Sequence, residues 1–447
     1  MATVAHPGRA RRSPAPDLSA LRVGAGVLAG RAAGTATKVA RRGHATALPG
    51  WVALRLAPDL LTALTRARRV LVVSGTNGKT TTTRLLAAAV GAGDGDVVSN
   101  DSGANLTSGL VSALLQSRAD RGTTAVLEVD EFALPAVVAA TRPAVIVLLN
   151  LSRDQLDRGG EVAAHVTRWT RALAGSPQAV VVANADDPLV AASTLLARPD
   201  AQRVVWVGAG CAWLKDVPLC PRCHAPWTIE EATPWRCTAC GLRRPESAWS
   251  VDGPELLLPG SVRVPADLAL PGRANRANAV MALAAATSAG VRVDSAMRAI
   301  REVTDVAGRY LRVRYHGTPV RLLLSKNAAG WLEVLDHLKG STGPVVLAVN
   351  ARVVDGVDTS WLWDVPFERL TGRPVAACGE RAADLSVRLR YAGVEHCVVP
   401  DPLRAVAELG PEPIELVANY SAFAAVRERL HNDVDARDGT STETGTP

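Results

Sequence analysis

The sequence predicts an α/β fold: a central phosphate-loop domain on a parallel sheet, a four-cysteine insertion within it, and a second, Rossmann-like α/β domain at the C-terminal end. Three observations carry this. Short apolar runs ("RRVLVVSG", "TTAVLEVD", "PAVIVLLNLS", "AVVVANADD") alternate with helical patterns, and buried strands alternating with helices build a parallel sheet covered on both faces. A second set of the same kind ("GPVVLAVNA", "RPVAACG", "HCVVP", "PIELVANY") starts after Gly308. Between the sets, residues 209–250 break the rhythm and carry paired cysteines.

A chain of 447 residues predicts two or three domains. The expected division is a basic front segment over 1–43, a central domain over 44–304 with the insertion at 209–250, a C-terminal domain over 305–433 and a loose polar tail over 434–447. The net charge of +7 favours an anionic partner such as a nucleotide or a lipid surface. Much of the excess sits in front: residues 1–43 hold eight Lys and Arg against the one acid Asp17. Arg11-Arg12 invites a secretion-signal reading, but Arg22 and Arg31 interrupt the apolar region such a signal needs. With no run of about 20 apolar residues, the expected location is cytoplasmic. Residues 18–42 read as an amphipathic helix with cationic ends, suited to the inner face of the membrane, and equally as an internal packing helix.

The first strand runs into Gly75-Thr76-Asn77-Gly78-Lys79-Thr80-Thr81 and then a helical pattern. A glycine turn from strand to helix aims backbone N–H groups at an anion, and the helix N-terminus adds its partial positive charge. Lys79 is placed to reach the β- and γ-phosphates, and the Thr80 hydroxyl to face Mg²⁺. The loop is two residues shorter than the common G-x-x-x-x-G-K-[ST] form.

In the insertion, Cys220-Pro-Arg-Cys223 is followed after 13 residues by Cys237-Thr-Ala-Cys240. Two C-x₂-C knuckles complete a tetrahedral Zn²⁺ site; four thiolates close the shell, so the expected role is structural and His224 is surplus. Arg222, Arg236, Arg243 and Arg244 allow a nucleic-acid ribbon, but no aromatic-basic stripe supports one. Cys378 and Cys397 read as core cysteines.

The short GTNGKTT loop after a strand resembles the Mur ligase superfamily, and further motifs agree in order: "SGANLTSG" (102–109), Glu128 ending a strand, "LNLSRDQLDRGG" (149–160), "NADDP" (184–188), "LPGRANRANAVMALAAA" (270–286) and "AGRY" (307–310). The resemblance implies ATP-dependent ligation: Glu128 and Thr80 as Mg²⁺ ligands, Asn275 and Arg309 as nucleotide-positioning residues, and Lys79 as the phosphate cation. The chain departs from that pattern at Gln155, where the ligases carry His, and has no lysine from 80 to 214, where the amino-acid-adding ligases carry a carbamylated one. Asp130 and Glu131 lie near the metal by sequence alone, with a solvated helix start as the other reading.

The cysteine insertion, "HATALPGWVALRLAPDLL" (44–61), "LSKNAAGWLEVL" (324–335) and "NARVVDGVDTSWLWDVPFE" (350–368) together resemble the MurT family. That resemblance implies a ligase-like subunit of lipid II isoglutaminyl synthase: amidation of the D-Glu α-carboxylate through an acyl phosphate, with ammonia from a GatD-type glutamine amidotransferase, lipid II as substrate and no nucleic acid. In that family an aspartate of the C-terminal domain is thought to complete the partner's Cys-His relay; Asp355 is the first choice here and Asp358 the second, with Asp364 also in the loop and Trp361 and Trp363 as partner anchors. A stand-alone amino-acid or polyglutamate ligase and a non-catalytic ATP-binding scaffold remain as alternatives.

Overall fold

The computed structural model describes residues 18–39, 47–100, 103–117, 123–153, 162–210, 216–227, 234–270, 272–304 and 310–438. Arg309 and Gln155 lie outside the described residues, as do residues 1–17 and 40–43 of the basic front end.

Three helices come first: α1 (Leu18–Val39), α2 (Leu48–Leu56) and α3 (Leu60–Thr65). Of the two readings of α1, its contacts support the packing helix. Its buried face is a stripe of Gly26, Gly30 and Gly34, four residues apart and so on one side of the helix. Gly26 and Gly30 lie against Ala53 of α2, Gly26 also against Ala57 just after it, and Gly34 against Pro49. Leu21 and Leu28 face solvent instead. The absence of side chains is what lets the two helix backbones approach, so the segment is a packing helix. No helix of the described residues is long and apolar enough to cross a membrane.

The central sheet holds β1 (Arg69–Ser74), β2 (Val97–Ser99), β3 (Thr124–Val129), β4 (Val145–Leu148), β5 (Val180–Asn184), β6 (Val204–Gly208), β7 (Trp249–Asp252), β8 (Glu255–Leu258) and β9 (Val262–Pro265). Their spatial order is β2-β3-β1-β4-β5-β6-β7-β8-β9. All pairings up to β7 are parallel, as the apolar runs predict; β7-β8-β9 is an antiparallel meander that the sequence reading lacked. Helices cover both faces: α4 (Lys79–Asp94), α9 (Arg273–Ser288) and α10 (Val293–Arg301) on one side, and α5 (Thr107–Gln116), α6 (Leu134–Thr141), α7 (Val162–Ala174) and α8 (Pro188–Ala197) on the other. Alternation along β1 feeds both cores: Val70 and Val72 point to the second group, Leu71 and Val73 to the first. The "NADDP" motif is a helix start, in which the Asp187 carboxylate accepts from the Leu189 and Val190 N–H groups and Pro188 takes the first helical position.

The second unit is a six-stranded sheet: β10 (Tyr310–Tyr315), β11 (Thr318–Leu324), β12 (Val345–Ala348), β13 (Val375–Cys378), β14 (His396–Val398) and β15 (Ile414–Ala418), in the order β10-β11-β15-β12-β13-β14. Only β10 is antiparallel to its neighbour. Its helices are α11 (Ala328–Leu338), α12 (Ala382–Tyr391), α13 (Pro402–Glu408) and α14 (Tyr420–Asp438), the last running past the residue at which the tail is expected to start. Cys378 is buried as expected, but Cys397 is exposed because β14 is the edge strand of this sheet.

Gly50 on α2 offers a direct test of this packing. It is buried, its N–H donates to Ser112 Oγ at 2.8 Å, and an added Cβ would collide with the Ser108 carbonyl of α5. Gly50→Ala is expected to lower stability by about 1–3 kcal/mol, read as a fall in melting temperature; an unchanged melting curve would contradict the contact.

Candidate active site

Parallel register gathers the site at the carboxyl ends of the central strands. Val73 pairs with Glu128 across β1 and β3, and Ser74 with Leu148 across β1 and β4, so the phosphate loop, Glu128 and Asn150 emerge side by side. Gly75 and Gly78 have φ of +144° and +84°, backbone that a side chain strains. The loop is clamped from the β4 end: Thr76 N donates to Asn150 O at 2.9 Å, Asn77 N to Asn150 Oδ1 at 2.9 Å, and Asn150 Nδ2 to Asn77 O at 3.0 Å. Ser152 N donates to Thr76 Oγ1 at 3.0 Å. These bonds hold open the turn at the N-terminus of α4, where an anion is favoured.

Lys79 is only 4% exposed. Its Nζ donates to the Gly75 and Thr76 carbonyls and, at 2.8 Å, to Glu131 Oε2, itself 12% exposed. Burial opposes the charge on both groups, yet Glu131, with Glu128 and Asp130 behind it, raises the Lys79 pKa above its usual value, and Lys79 holds the Glu131 carboxyl below its own. Glu131, ranked no higher in sequence than a solvated helix start, is therefore the counter-ion of the phosphate-loop lysine.

Glu128 is 2% exposed. Asn100 grips its backbone through both amide groups at 2.8 Å, and Asn105 Nδ2 donates to its Oε1 at 3.3 Å. Its Oε2 is buried with no hydrogen-bond partner. An orphaned carboxylate oxygen beside the phosphate loop fits a hard cation such as Mg²⁺, and Thr80 lies on the adjoining first turn of α4.

The second domain closes the site. A cavity of about 500 Å³ is lined by Asn77, Gly78, Thr81, Asn275 and Asn278 from the central domain and by Ser325, Lys326, Glu333 and His337 from the C-terminal one. Asn275 thus shares one cavity with the phosphate loop. Asn278, one turn further along α9, touches the loop itself: its Oδ1 accepts from Thr82 Oγ1 at 3.2 Å and sits where a Gly78 side chain would be. Asn327 Nδ2 donates to Asn77 Oδ1 at 3.3 Å across the two domains. Sequence reasoning singled out neither Asn278 nor Asn327, although both fall within quoted motifs.

The four ribbon cysteines converge, their sulfurs within 4.8 Å of one another. The Cys220–Cys240 and Cys223–Cys237 Sγ pairs are 3.7 Å apart, close to the about 3.8 Å edge of a tetrahedron with 2.3 Å Zn–S bonds. Each knuckle turns through one left-handed residue, His224 (φ +59°) and Gly241 (φ +74°), which explains His224 as a turn residue. The ribbon is inserted between the paired strands β6 and β7 and anchored by Trp235, whose Nε1 donates to Ala185 O at 3.2 Å.

The three aspartates of the loop sit in different surroundings. Asp355 is buried, 6% exposed, and committed: it accepts from Ser421 N at 2.8 Å, from Ser421 Oγ at 2.5 Å and from Arg352 N at 3.2 Å. Asp358 is exposed, and among the described residues it bonds only to nearby Ser360. Asp364 pairs with Arg153 of the central domain at 2.9 Å. Trp361 stacks on buried Trp331 inside the domain, whereas Trp363, 56% exposed, stands edge-on to Tyr391, 76% exposed.

With this geometry in place, comparisons with known proteins give a consistent result. Residues 73–213 match the Mur ligase middle domain family, and residues 324–423 match the MurT ligase C-terminal family. The chain is 29% identical to the lipid II isoglutaminyl synthase (glutamine-hydrolyzing) subunit MurT of Streptococcus pneumoniae, covering 91% of this chain and 96% of that one. It is 28% identical to the Staphylococcus aureus (strain COL) protein of the same description, covering 89% and 95%. Among solved structures, a type C pseudomurein peptide ligase from Methanothermus fervidus superposes with a TM-score of 0.67 at 17% identity over 84% of this chain and 81% of that one. MurF from Acinetobacter baumannii gives 0.61 at 16% over 86% and 80%. At such identities the structural likeness speaks for the fold.

Glu131→Gln leaves Lys79 buried without its anion, and a loss of about 3 kcal/mol is expected for the nucleotide-free protein near neutral pH. Because Glu131 titrates below its ordinary 4.5 in the fold, the pair's stabilisation is complete above that value and is lost as pH falls through the lower folded one. The melting-temperature gap between wild type and variant should narrow in that window; a pH-independent gap would contradict the pairing.

Proposed function

We propose, from the premise that the chain belongs to the MurT family, that it is the ATP-dependent ligase subunit of a lipid II isoglutaminyl synthase, amidating the D-Glu α-carboxylate of the lipid II stem peptide with ammonia released from glutamine by a partner subunit. The observation that carries the reading is the juxtaposition of the clamped phosphate loop with the buried, half-satisfied Glu128 carboxylate at the mouth of a cleft closed by the second domain.

A carboxylate is a poor electrophile, and ATP with Mg²⁺ supplies the phosphoryl group that gives it a leaving group. One substrate carboxylate oxygen bonds to the γ-phosphorus as the bond to ADP breaks. Ammonia then bonds to the carbonyl carbon, phosphate departs and the nitrogen loses a proton. Within the chain, the amides of Gly78–Thr81 and the Lys79 ammonium neutralise phosphate charge. Glu131 keeps Lys79 in place, and Thr80 and Glu128 hold the cation. Asn105 and Asn100 fix the aim of Glu128. Asn275, and by motif Arg309, position the nucleotide.

The ammonia source is a GatD-type glutaminase. Among the described residues no cysteine pairs with a histidine: burial pushes the Cys378 thiol up and out of reactivity, and His396, next to Cys397 in sequence, is engaged by Ser386 and the Val394 carbonyl. Exposed Trp363 and Tyr391 form an aromatic anchor of the kind that dominates interfaces, and Asp358 lies on the exposed loop that leads to them. Asp358 accordingly replaces Asp355 as the residue that orients the partner's histidine, and Asp355 becomes the support of its loop.

In the reconstituted two-subunit enzyme, Asp358→Asn is expected to abolish amidation driven by glutamine and to spare amidation by added ammonia. Asp355→Asn should lower melting temperature and reduce both activities together. Full glutamine-driven activity in the Asp358 variant would sink the assignment. Structural Zn²⁺ is the proposed ligand of the four thiolates. Elemental analysis should find about one zinc per chain, and Cys237→Ser should remove it and lower the melting temperature; a zinc-free, equally stable wild type would refute the site.

A further inference from the structure

Among the basic residues of the ribbon, Arg244 reaches back toward the cleft. It stands on the ribbon's own backbone bridge: its N–H donates to Trp235 O at 3.0 Å, next to the Arg236–Arg243 pairing. The base beneath it is firm, because Val217, Cys220, Trp235, Cys237 and Leu242 are buried in one core of the central domain. From there the Arg244 side chain leaves the ribbon, and its Nε donates to Asp186 Oδ1 at 2.5 Å.

Asp186 follows β5 and divides its two oxygens. Oδ1 takes the ribbon arginine, and Oδ2 accepts from the Gly210 N–H at 2.6 Å. Ala209 and Gly210 directly follow β6 and form part of the cavity wall. The Gly210 carbonyl is held as well, by Asn184 Nδ2 at 3.0 Å, and the same nitrogen donates to Leu149 O at 2.9 Å. This wall fits its neighbour closely. Gly210 has a φ of +78°, and a Cβ added there would collide with the guanidinium of Arg273, the first residue of α9, which lines the same cavity. Arg244 and Asp186 are 24% and 21% exposed, so their ion pair adds little to global stability. What it fixes is the direction of the Asp186 carboxylate. Without its cation that carboxylate is free to turn to water, and the Gly210 N–H loses its acceptor.

We propose that Arg244 is a positioning residue, through which the four-cysteine ribbon buttresses the Ala209–Gly210 wall by way of Asp186. The ribbon then serves the ligase site although none of its cysteines touches the cavity. The inference rests on the nucleotide reading above.

The test is calorimetric titration of the full chain with MgATP. Arg244→Ala should weaken binding about tenfold, the size of one charge-assisted hydrogen bond, with only a small fall in melting temperature. Arg244→Lys, which keeps a cation for Asp186, should recover most of the loss. Asp186→Asn keeps an acceptor for Gly210 and gives up the ion pair; it should weaken binding as much as Arg244→Ala, with no further loss in the double variant. In the two-subunit enzyme the KM for ATP should rise by the same factor while kcat holds. Unchanged ATP affinity in Arg244→Ala, or additive losses in the double variant, would reduce Arg244 to an anchor of the ribbon and overturn the proposal while leaving the nucleotide site intact. Should Arg244→Ala fail to fold, Asp186→Asn decides, and wild-type affinity in that variant overturns the proposal. No binding of ATP by wild type would overturn the nucleotide reading itself and this inference with it.

Discussion

A lysine ammonium held almost wholly away from solvent is the constraint around which the central domain is arranged. Burying an unpaired cation costs several kcal/mol, and the group then gives up its charge. Lys79 keeps its charge because two loop carbonyls and Glu131 surround it. Each partner fixes a piece of structure. The carbonyls require the loop to fold back over the first turn of α4, which places glycine at two positive-φ positions. Glu131 requires the end of β3 to lie beside the loop, which the β1–β3 register supplies.

The same register explains why the Glu128 carboxylate and the phosphate loop are neighbours although about fifty residues apart in sequence. In a parallel sheet the strand ends come out together on one edge, and whatever follows each strand is delivered there. Asn150 after β4, Asn184 at the end of β5 and Glu128 in β3 are all set by this rule. The C-terminal domain adds its own strand ends and α11 across the cleft, so the cavity is lined by both units, and Asn77–Asn327 and Arg153–Asp364 are polar links between them.

Around this centre, small residues and short polar bonds do the packing. The glycine stripe of α1 brings two helices together without side-chain interdigitation, and Gly50 seats α2 on α5. The zinc-type ribbon sits between two adjacent strands without disturbing their pairing because its knuckles are closed by their own backbone bonds, Cys220 N to Ala225 O and Cys237 N to Leu242 O.

The sequence by itself determined the alternation of strands and helices, the phosphate loop, the Glu128 strand and the four-cysteine ribbon. These are features whose chemistry is local: a turn that needs glycine, a helix start that needs Asp or Asn, two C-x₂-C knuckles. Tertiary structure decided the rest. Glu131 is the counter-ion of Lys79, Asn278 and Glu333 line the cleft, Asp355 is consumed by Ser421 while Asp358 stays exposed, Trp361 turns inward and Trp363 outward, and Cys397 falls on an edge strand. None of these has a local signature, because whether a carboxylate, a ring or a thiol is buried or offered to solvent depends on which distant segment packs over it.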